Sequence, residues 1–239
     1  PGGCAACKPA TSQTSWTVTK SGWCVAGGQC YPLCNGKCID LGTDPNNCGV
    51  CGKKCGSGLV CKKGTCTVPC TMVADFESGA WSSIWTLKSG SAGTISATYA
   101  HDGKYGVYNP GWHYETSAQT GAVGDKLTAW TRFGSSKGRT YLGFAASSSG
   151  CQSCVFAPNT SNLMFQKNSS YGYSDLTKIS FSTFKANNWY LMEIEFLSGG
   201  KVTCTVYDSD GKTKVASVSH TFSGSLAGGV AIRSFGSHA

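Results

Sequence analysis

Glu193 and Glu195 are the only close carboxylate pair on one predicted strand of the chain. Side chains two apart on a strand share a face. Two carboxylates on one face are what glycoside hydrolysis uses, about 5–5.5 Å apart for retention and about 6.5–9.5 Å for inversion. The same spacing fits two solvent-facing strand residues, and that is the expectation here. No Ser/His/Asp arrangement, nucleophile elbow or HExxH run accompanies the pair, so no catalytic residue is assigned.

Aromatic residues are better placed to hold a ligand. Residues 105–114, YGVYNPGWHY, gather Tyr105, Tyr108, Trp112, His113 and Tyr114 around a Pro-Gly turn, with Asn109 beside it. Tyr171 and Tyr173 follow Asn168 in a Ser/Asn-rich loop. Sugar rings stack on aromatic faces while Asn, Asp and His orient hydrogen bonds. Tyr108, Asn109, Trp112, His113, Tyr114, Tyr171 and Tyr173 are therefore the candidate ligand residues. Packing of a core competes for the same rings. No cofactor is expected. Calcium binds oxygen clusters and has candidates in Asp75, Asp102, Asp208 and Asp210, but no EF-hand pattern exists, and Asp208 and Asp210 read as turn residues.

Cysteine chemistry separates the chain into two parts. Twelve cysteines lie before residue 71 (Cys4, Cys7, Cys24, Cys30, Cys34, Cys38, Cys48, Cys51, Cys55, Cys61, Cys66 and Cys70), with no histidine among them, and only Cys151, Cys154 and Cys204 follow. Cys48-x2-Cys51 and Cys4-x2-Cys7 have zinc-ligand spacing, but the even count and missing histidine favour disulfides. Such density needs an oxidising compartment, so an extracellular or cell-surface location is expected. No leader is visible, and Pro1 is expected to lie downstream of a removed one. Cys151-Gln-Ser-Cys154 reads as a bridge stapling a loop, which leaves Cys204 odd and buried.

The 239 residues carry a net charge of +8, with only 13% charged side chains. A basic surface suits anionic glycans, lipid headgroups or nucleic acid, yet no arginine precedes Arg132 and no nucleic-acid motif appears, so nucleic acid is not an expected partner. No apolar run is long enough to span a membrane.

Residues 1–70 hold too few apolar side chains for a core, so disulfides must replace one, each contributing roughly 2–4 kcal/mol. Asn35-Gly36, Asp44-Pro45, Asn46-Asn47 and Lys63-Gly64 mark its turns. Residues 71–239 read instead as short alternating strands split by Gly, Ser, Asn and Asp, an antiparallel β-sandwich. Strands are expected at 72–76, 93–99, 105–109, 126–133, 140–146, 163–166, 177–181, 189–197, 201–208, 213–220 and 229–234. The fold class is thus mainly β, a disulfide-rich module followed by a sandwich. One register can be predicted. A three-residue loop, Ser198-Gly199-Gly200, sets Phe196 against Val202, Ile194 against Cys204 and Met192 against Val206, with Glu195 and Glu193 facing Thr203 and Thr205 on the other side; a two-residue loop would mix the faces. Asn159-Thr160-Ser161 and Asn168-Ser169-Ser170 match the glycosylation sequon.

Two resemblances add to this reading. CNGKCIDLGTDPNNCGVCGKKCGSGLVCKKGTC, residues 34–66, resembles the stigma-specific extracellular cysteine-rich module, with Asp40, Asp44, Asn47, Gly49 and Gly64 in place. VADFESG, NNWYLMEIEFLSGGKVTCTVYDSDGKTKVASVS and GGVAIRSFGS, within 72–239, are similar to a laminin G-like, concanavalin-type jelly roll. That resemblance implies antiparallel sheets and glycan or protein binding; its hydrolase members carry an acid pattern that E-I-E-F-L lacks. In such proteins a further strand follows GGVAIRSFG, whereas this sequence stops at Ala239; either the chain is truncated, or the strand near Asp75-Phe76 has an open edge, a template for strand addition. The leading expectation is non-catalytic recognition of glycans, extracellular matrix or a cell surface. A structural subunit of a self-assembling extracellular fibre or coat is the alternative, and a glycan hydrolase is disfavoured.

Overall fold

A computed structural model describes residues 17–18, 23–26, 29–56, 59–67, 73–74 and 76–236. The chain divides into two compact units, Pro1–Met72 and Val73–Ala239. Among the described residues there is no α-helix; strands dominate the second unit and are short in the first.

In the first unit β1 (Thr17–Val18), β2 (Trp23–Ala26), β3 (Gln29–Cys34) and β4 (Lys37–Cys38) form a small sheet, and β5 (Val60–Lys62) pairs with β6 (Thr65–Thr67). Asn35-Gly36 and Lys63-Gly64 make the two tight turns, all four residues at positive φ (50°, 75°, 48° and 75°). This backbone matches the strand twist and favours Asn and Gly. Bridges join Cys34 to Cys51, Cys48 to Cys61 and Cys55 to Cys66, and Cys38 is also disulfide-bonded. The sulfurs of Cys48, Cys55 and Cys66 lie within 4.8 Å of one another, but each is committed to a bridge, which answers the zinc alternative for these three. Cys4, Cys7 and Cys70, and the side chains of Cys24 and Cys30, lie outside the described residues.

The polar residues of the 34–66 motif serve its loops. Asp40 accepts from the Gly42 amide (2.8 Å) and the Thr43 hydroxyl (2.8 Å), Asp44 from the Asn46 amide (2.7 Å), and Asn47 from the Gly52 amide (2.8 Å). Side chains that cap their own turns replace the regular structure this segment lacks.

The second unit is an antiparallel sandwich. Its larger sheet holds β7 (Thr86–Ser89), β10 (Trp112–Thr120), β12 (Arg139–Ser147), β13 (Gly150–Ala157), β14 (Asn162–Ser169), β15 (Ser174–Ser180) and β19 (Gly228–Phe235), in the order β15-β14-β13-β12-β19-β10-β7. The smaller holds β11 (Lys126–Arg132), β16 (Trp189–Phe196), β17 (Lys201–Tyr207) and β18 (Lys214–Thr221), in the order β11-β16-β17-β18. A separate pair joins β8 (Thr94–Ser96) and β9 (Gly106–Tyr108).

Between the two sheets lies the main core. Phe144 meets Phe165, Phe196 and Phe222 edge to face, ring centroids 5.2–6.3 Å apart, around buried Leu142, Met192, Ile194 and Val206. The predicted β16–β17 register holds residue for residue, because strict alternation leaves one way to bury Met192, Ile194 and Phe196.

Three expectations require correction. Cys151 and Cys154 are not bridged to each other. Cys154 pairs with Cys204 across the core, while Cys151 is free and buried. They sit three apart on β13, so their side chains face opposite sides of the sheet. Second, 112–120 and 150–157, absent from the expected strands, are strands. The latter is buried at seven of its eight positions, since both sheet faces are covered there, and the alternation that reveals a strand is erased. Third, 73–74 and Phe76 are not in a strand, and Asp75 lies outside the described residues. The last strand, β19, is interior, paired with β10 on one side and β12 on the other, so the open edge expected near Phe76 does not exist there.

Candidate functional site

The outer face of the seven-stranded sheet carries a second aromatic cluster. Period-two alternation aims Leu142, Cys154, Phe156, Leu163 and Phe165 inward. Their neighbours Tyr141, Val155, Ala157, Met164 and Ala231 point the other way and are buried as well. The cover comes from Trp112 and Tyr171. The loop after β14 folds back so that the Tyr171 hydroxyl donates to the Ser147 carbonyl at 2.8 Å and its ring lies 5.3 Å from Trp112. Gly143 makes the floor thin. A Cβ there would stand 2.8 Å from the Ala231 Cβ and 3.1 Å from the Cys151 sulfur.

At one end the cluster opens to solvent. Strand pairing sets Tyr141 opposite Arg233 and Arg139 opposite Phe235, so two rings and two guanidinium groups alternate in a block. The Arg233 guanidinium stands 5.8 Å from the Tyr141 ring, 5.3 Å from Tyr173 and 5.9 Å from Phe235. Each such contact is worth about 0.5–2 kcal/mol, depending on desolvation. Its Nε donates to the Pro110 carbonyl at 2.9 Å, which fixes the fork. Burial, and then the neighbouring Arg139 charge, hold its pKa below the usual range. Tyr173 and Phe235 are 54% and 47% exposed, large apolar faces open to solvent.

The structure divides the seven ligand candidates. Trp112, Tyr114, Tyr171 and Tyr173 converge on this face: Tyr171 lies 5.8 Å from Tyr114, and Tyr173 lies 5.9 Å from Tyr141. Of these four, Trp112 and Tyr171 are buried, Tyr114 is half-buried and Tyr173 is exposed. Asn109 and His113 go elsewhere. Asn109 donates to the Ile232 carbonyl (3.0 Å), its Oδ1 meets the His113 Nδ1 (2.8 Å), and His113 stacks on Trp81 at 3.8 Å. Both are buried and brace the chain where it enters β10. Tyr108, half-buried, reaches the Gly236 carbonyl at 3.5 Å. Sequence reasoning missed Tyr141, Arg139, Arg233 and Phe235. The signal was present in ALTERNATING form: in VAIRSF, Ala231, Arg233 and Phe235 share one face, as Arg139, Tyr141 and Gly143 do in RTYLG.

His113 makes a pH prediction. Burial holds its pKa below 6.5, so the unfolded chain takes up a proton that the fold disfavours. Its contribution to stability is complete above about pH 6.5 and falls as pH drops toward the folded-state value. The midpoint of thermal unfolding should decrease between about pH 7 and pH 5, and His113→Gln should flatten that slope. An equal slope in the variant would assign the effect elsewhere.

Other candidates are committed. Lys126 Nζ stands 3.1 Å from Glu193 and 3.6 Å from Glu195, so the two carboxylates share one cation on the outer face of the small sheet. The Ser209 amide, Lys185 and Asn188 bring the Asp208 carboxyl down to about 2. Asp210 binds the Thr213 hydroxyl and the amides of Lys212 and Thr213. Both serve the turn, and Asp102 pairs with His101 at 2.7 Å. Of the sequon asparagines, Asn159 is exposed and accepts from Arg139 Nε (3.2 Å), whereas Asn168 is buried and bonded to Ser153 and Gly172. Cys151 is enclosed, its thiol pushed up to about 12 by burial, and is unsuited to thiolate chemistry. A second aromatic patch on the small sheet, Trp130 and Trp189, has its ring faces occupied by His101 (4.1 Å, stacked) and Arg132 (5.1 Å).

No protein-family model and no curated protein matches the chain. Among solved structures it is similar to the carbohydrate-binding module CBM66 from Bacillus subtilis, at 16% identity and a TM-score of 0.46, covering 65% of this chain and 89% of that one. Chicken galectin 2 follows at 14% identity and 0.34, covering 47% and 82%. Sheep galectin-11 stands at 9% and 0.39, covering 54% and 92%. These likenesses are loose.

Proposed function

We propose that the protein is an extracellular, non-catalytic glycan-binding protein whose ligand lies on the outer face of the seven-stranded sheet. The observation that carries this is the exposed pair Tyr173 and Phe235, held around Arg233 on a floor of buried Tyr141 and Trp112. A rigid aromatic surface with a fixed donor group is what a sugar ring needs: CH faces stack on the rings, and hydroxyls accept from the guanidinium. The bridges Cys34–Cys51, Cys48–Cys61, Cys55–Cys66 and Cys154–Cys204 support an oxidising compartment. The resemblance of residues 34–66 to the stigma-specific module fits the same setting. Among the described residues no helix is long and apolar enough to cross a membrane.

A glycan array probed with the full chain tests the reading. Tyr173→Ala and Phe235→Ala should each weaken the strongest signal about tenfold, near 1.4 kcal/mol. Both side chains are about half exposed and give up mainly a contact with Arg233, so unfolding should shift by no more than about 1 kcal/mol. Undiminished binding in both variants would place the ligand elsewhere.

A further inference from the structure

We propose that the saccharide held on this face is acidic, its carboxylate or sulfate gripped by Arg233 and Arg139 while its ring lies on Tyr173 and Phe235. This rests on the glycan-binding reading above and names the class of ligand.

Three observations carry it. First, Arg139 and Arg233 are only partly exposed, yet they make no ion pair with any carboxylate among the described residues. A half-buried cation without a counter-charge is unfavourable unless something supplies one. Second, both guanidinium groups are held through Nε, Arg233 by the Pro110 carbonyl at 2.9 Å and Arg139 by Asn159 Oδ1 at 3.2 Å. Their terminal nitrogens make no hydrogen bond to the described residues, and two parallel N–H donors match a carboxylate or sulfate in bidentate fashion. Third, the block holds no acid among the described residues. Asp175 is on β15 at the far edge of the sheet, bound to Gln166 at 2.7 Å and paired with Lys178 at 3.6 Å. Two like charges on adjacent strands repel, and an anion between them relieves that repulsion.

The rings decide between a saccharide and a bare anion. Tyr141, Tyr173 and Phe235 all lie within 6 Å of the Arg233 guanidinium. A free inorganic anion would use the arginines and leave the exposed rings uncovered, whereas an acidic sugar covers both.

Titration calorimetry on the full chain should use three probes: oligogalacturonate, its neutral methyl ester, and a sulfated galactan. The expected result is at least tenfold tighter binding of one or both anionic probes than of the ester, with the advantage falling as salt rises. Preference for oligogalacturonate identifies a carboxylate, and preference for the galactan identifies a sulfate. Arg233→Gln and Arg139→Gln should each lower affinity for the anionic probe about tenfold and bring it toward that of the ester. Arg139→Gln keeps the test open should Arg233→Gln unfold. Tyr173→Ala should weaken acid and ester alike. Equal affinity for acid and ester, or an unchanged ratio in both arginine variants, overturns the acidic class and leaves glycan binding standing. Binding to the anions that survives Tyr173→Ala and Phe235→Ala undiminished shows a bare anion site and overturns the proposal. Binding to none of the three by a folded protein overturns the acidic class, and the glycan array alone then decides whether glycan binding stands.

Discussion

Replacing Cys154 and Cys204 together with alanine should lower the unfolding free energy by about 4 kcal/mol, and by more if the vacated space fails to close. The bridge joins β13 of the large sheet to β17 of the small one and spans 50 residues of sequence. Closing a loop of that length in the unfolded chain is worth roughly 4 kcal/mol in the chain-entropy account. Both half-cystines are fully buried in the main core, so the substitution also removes packing. Denaturant unfolding of wild type and double variant measures the difference. A loss below about 1 kcal/mol would mean that the core alone holds the sheets together. Cys151 supplies the contrast. It is unbridged and lies on the opposite face of β13, so Cys151→Ala should leave the bridge intact and cost only the removed sulfur's contacts.

Trp112→Ala should cost about 3–5 kcal/mol of stability, the usual range for removing a buried aromatic side chain. Trp112 is 1% exposed and packs against Tyr141 at 5.1 Å and Tyr171 at 5.3 Å. Removing it takes the floor from beneath Tyr141, and with it the support of Arg233. Any loss of ligand affinity in this variant would follow from loss of structure. Trp112→Phe separates the two effects. The indole Nε1 is buried without a hydrogen-bond partner, so the smaller ring gives up volume but no hydrogen bond, and the loss should be well below that of alanine. Comparable losses for Phe and Ala would show that the indole does more than fill space. Tyr173→Ala, by contrast, should reduce binding and shift stability by no more than about 1 kcal/mol, because more than half of that side chain already faces water.

The strand whose faces and register could be read from sequence is one with a single covered face. In β16, alternate burial of Tyr190, Met192, Ile194 and Phe196 writes a period of two into the residues, and the loop at 198–200 leaves one register that keeps Cys204 inside. β13 was illegible for the opposite reason. With the main core on one side and the Trp112–Tyr171 cluster on the other, GCQSCVFA has almost no exposed position to mark its faces. β10 was hidden by its composition: WHY followed a Pro-Gly turn and read as a ligand loop, although it pairs with β19 through His113, Tyr114 and Glu115. The candidate site was half legible for a related reason. Aromatic density drew attention to Trp112, Tyr114, Tyr171 and Tyr173, but nothing local distinguishes a ring that packs from one that presents itself.

By itself the sequence determined that this is a mainly β chain with a disulfide-dense first part, where the turns sit, and how β16 meets β17. Those properties depend on neighbours within a few residues, on composition, or on a count of cysteines. Tertiary structure alone decided which cysteines pair and where the exposed rings stand. It set Cys154 opposite Cys204 across the core. It also placed Arg233 between Tyr141, from an earlier strand, and Phe235, from its own. The physical reason is the same in both cases: in an antiparallel sandwich, neighbours across a sheet or between sheets come from distant segments, and their meeting is fixed by strand order, which no local pattern encodes.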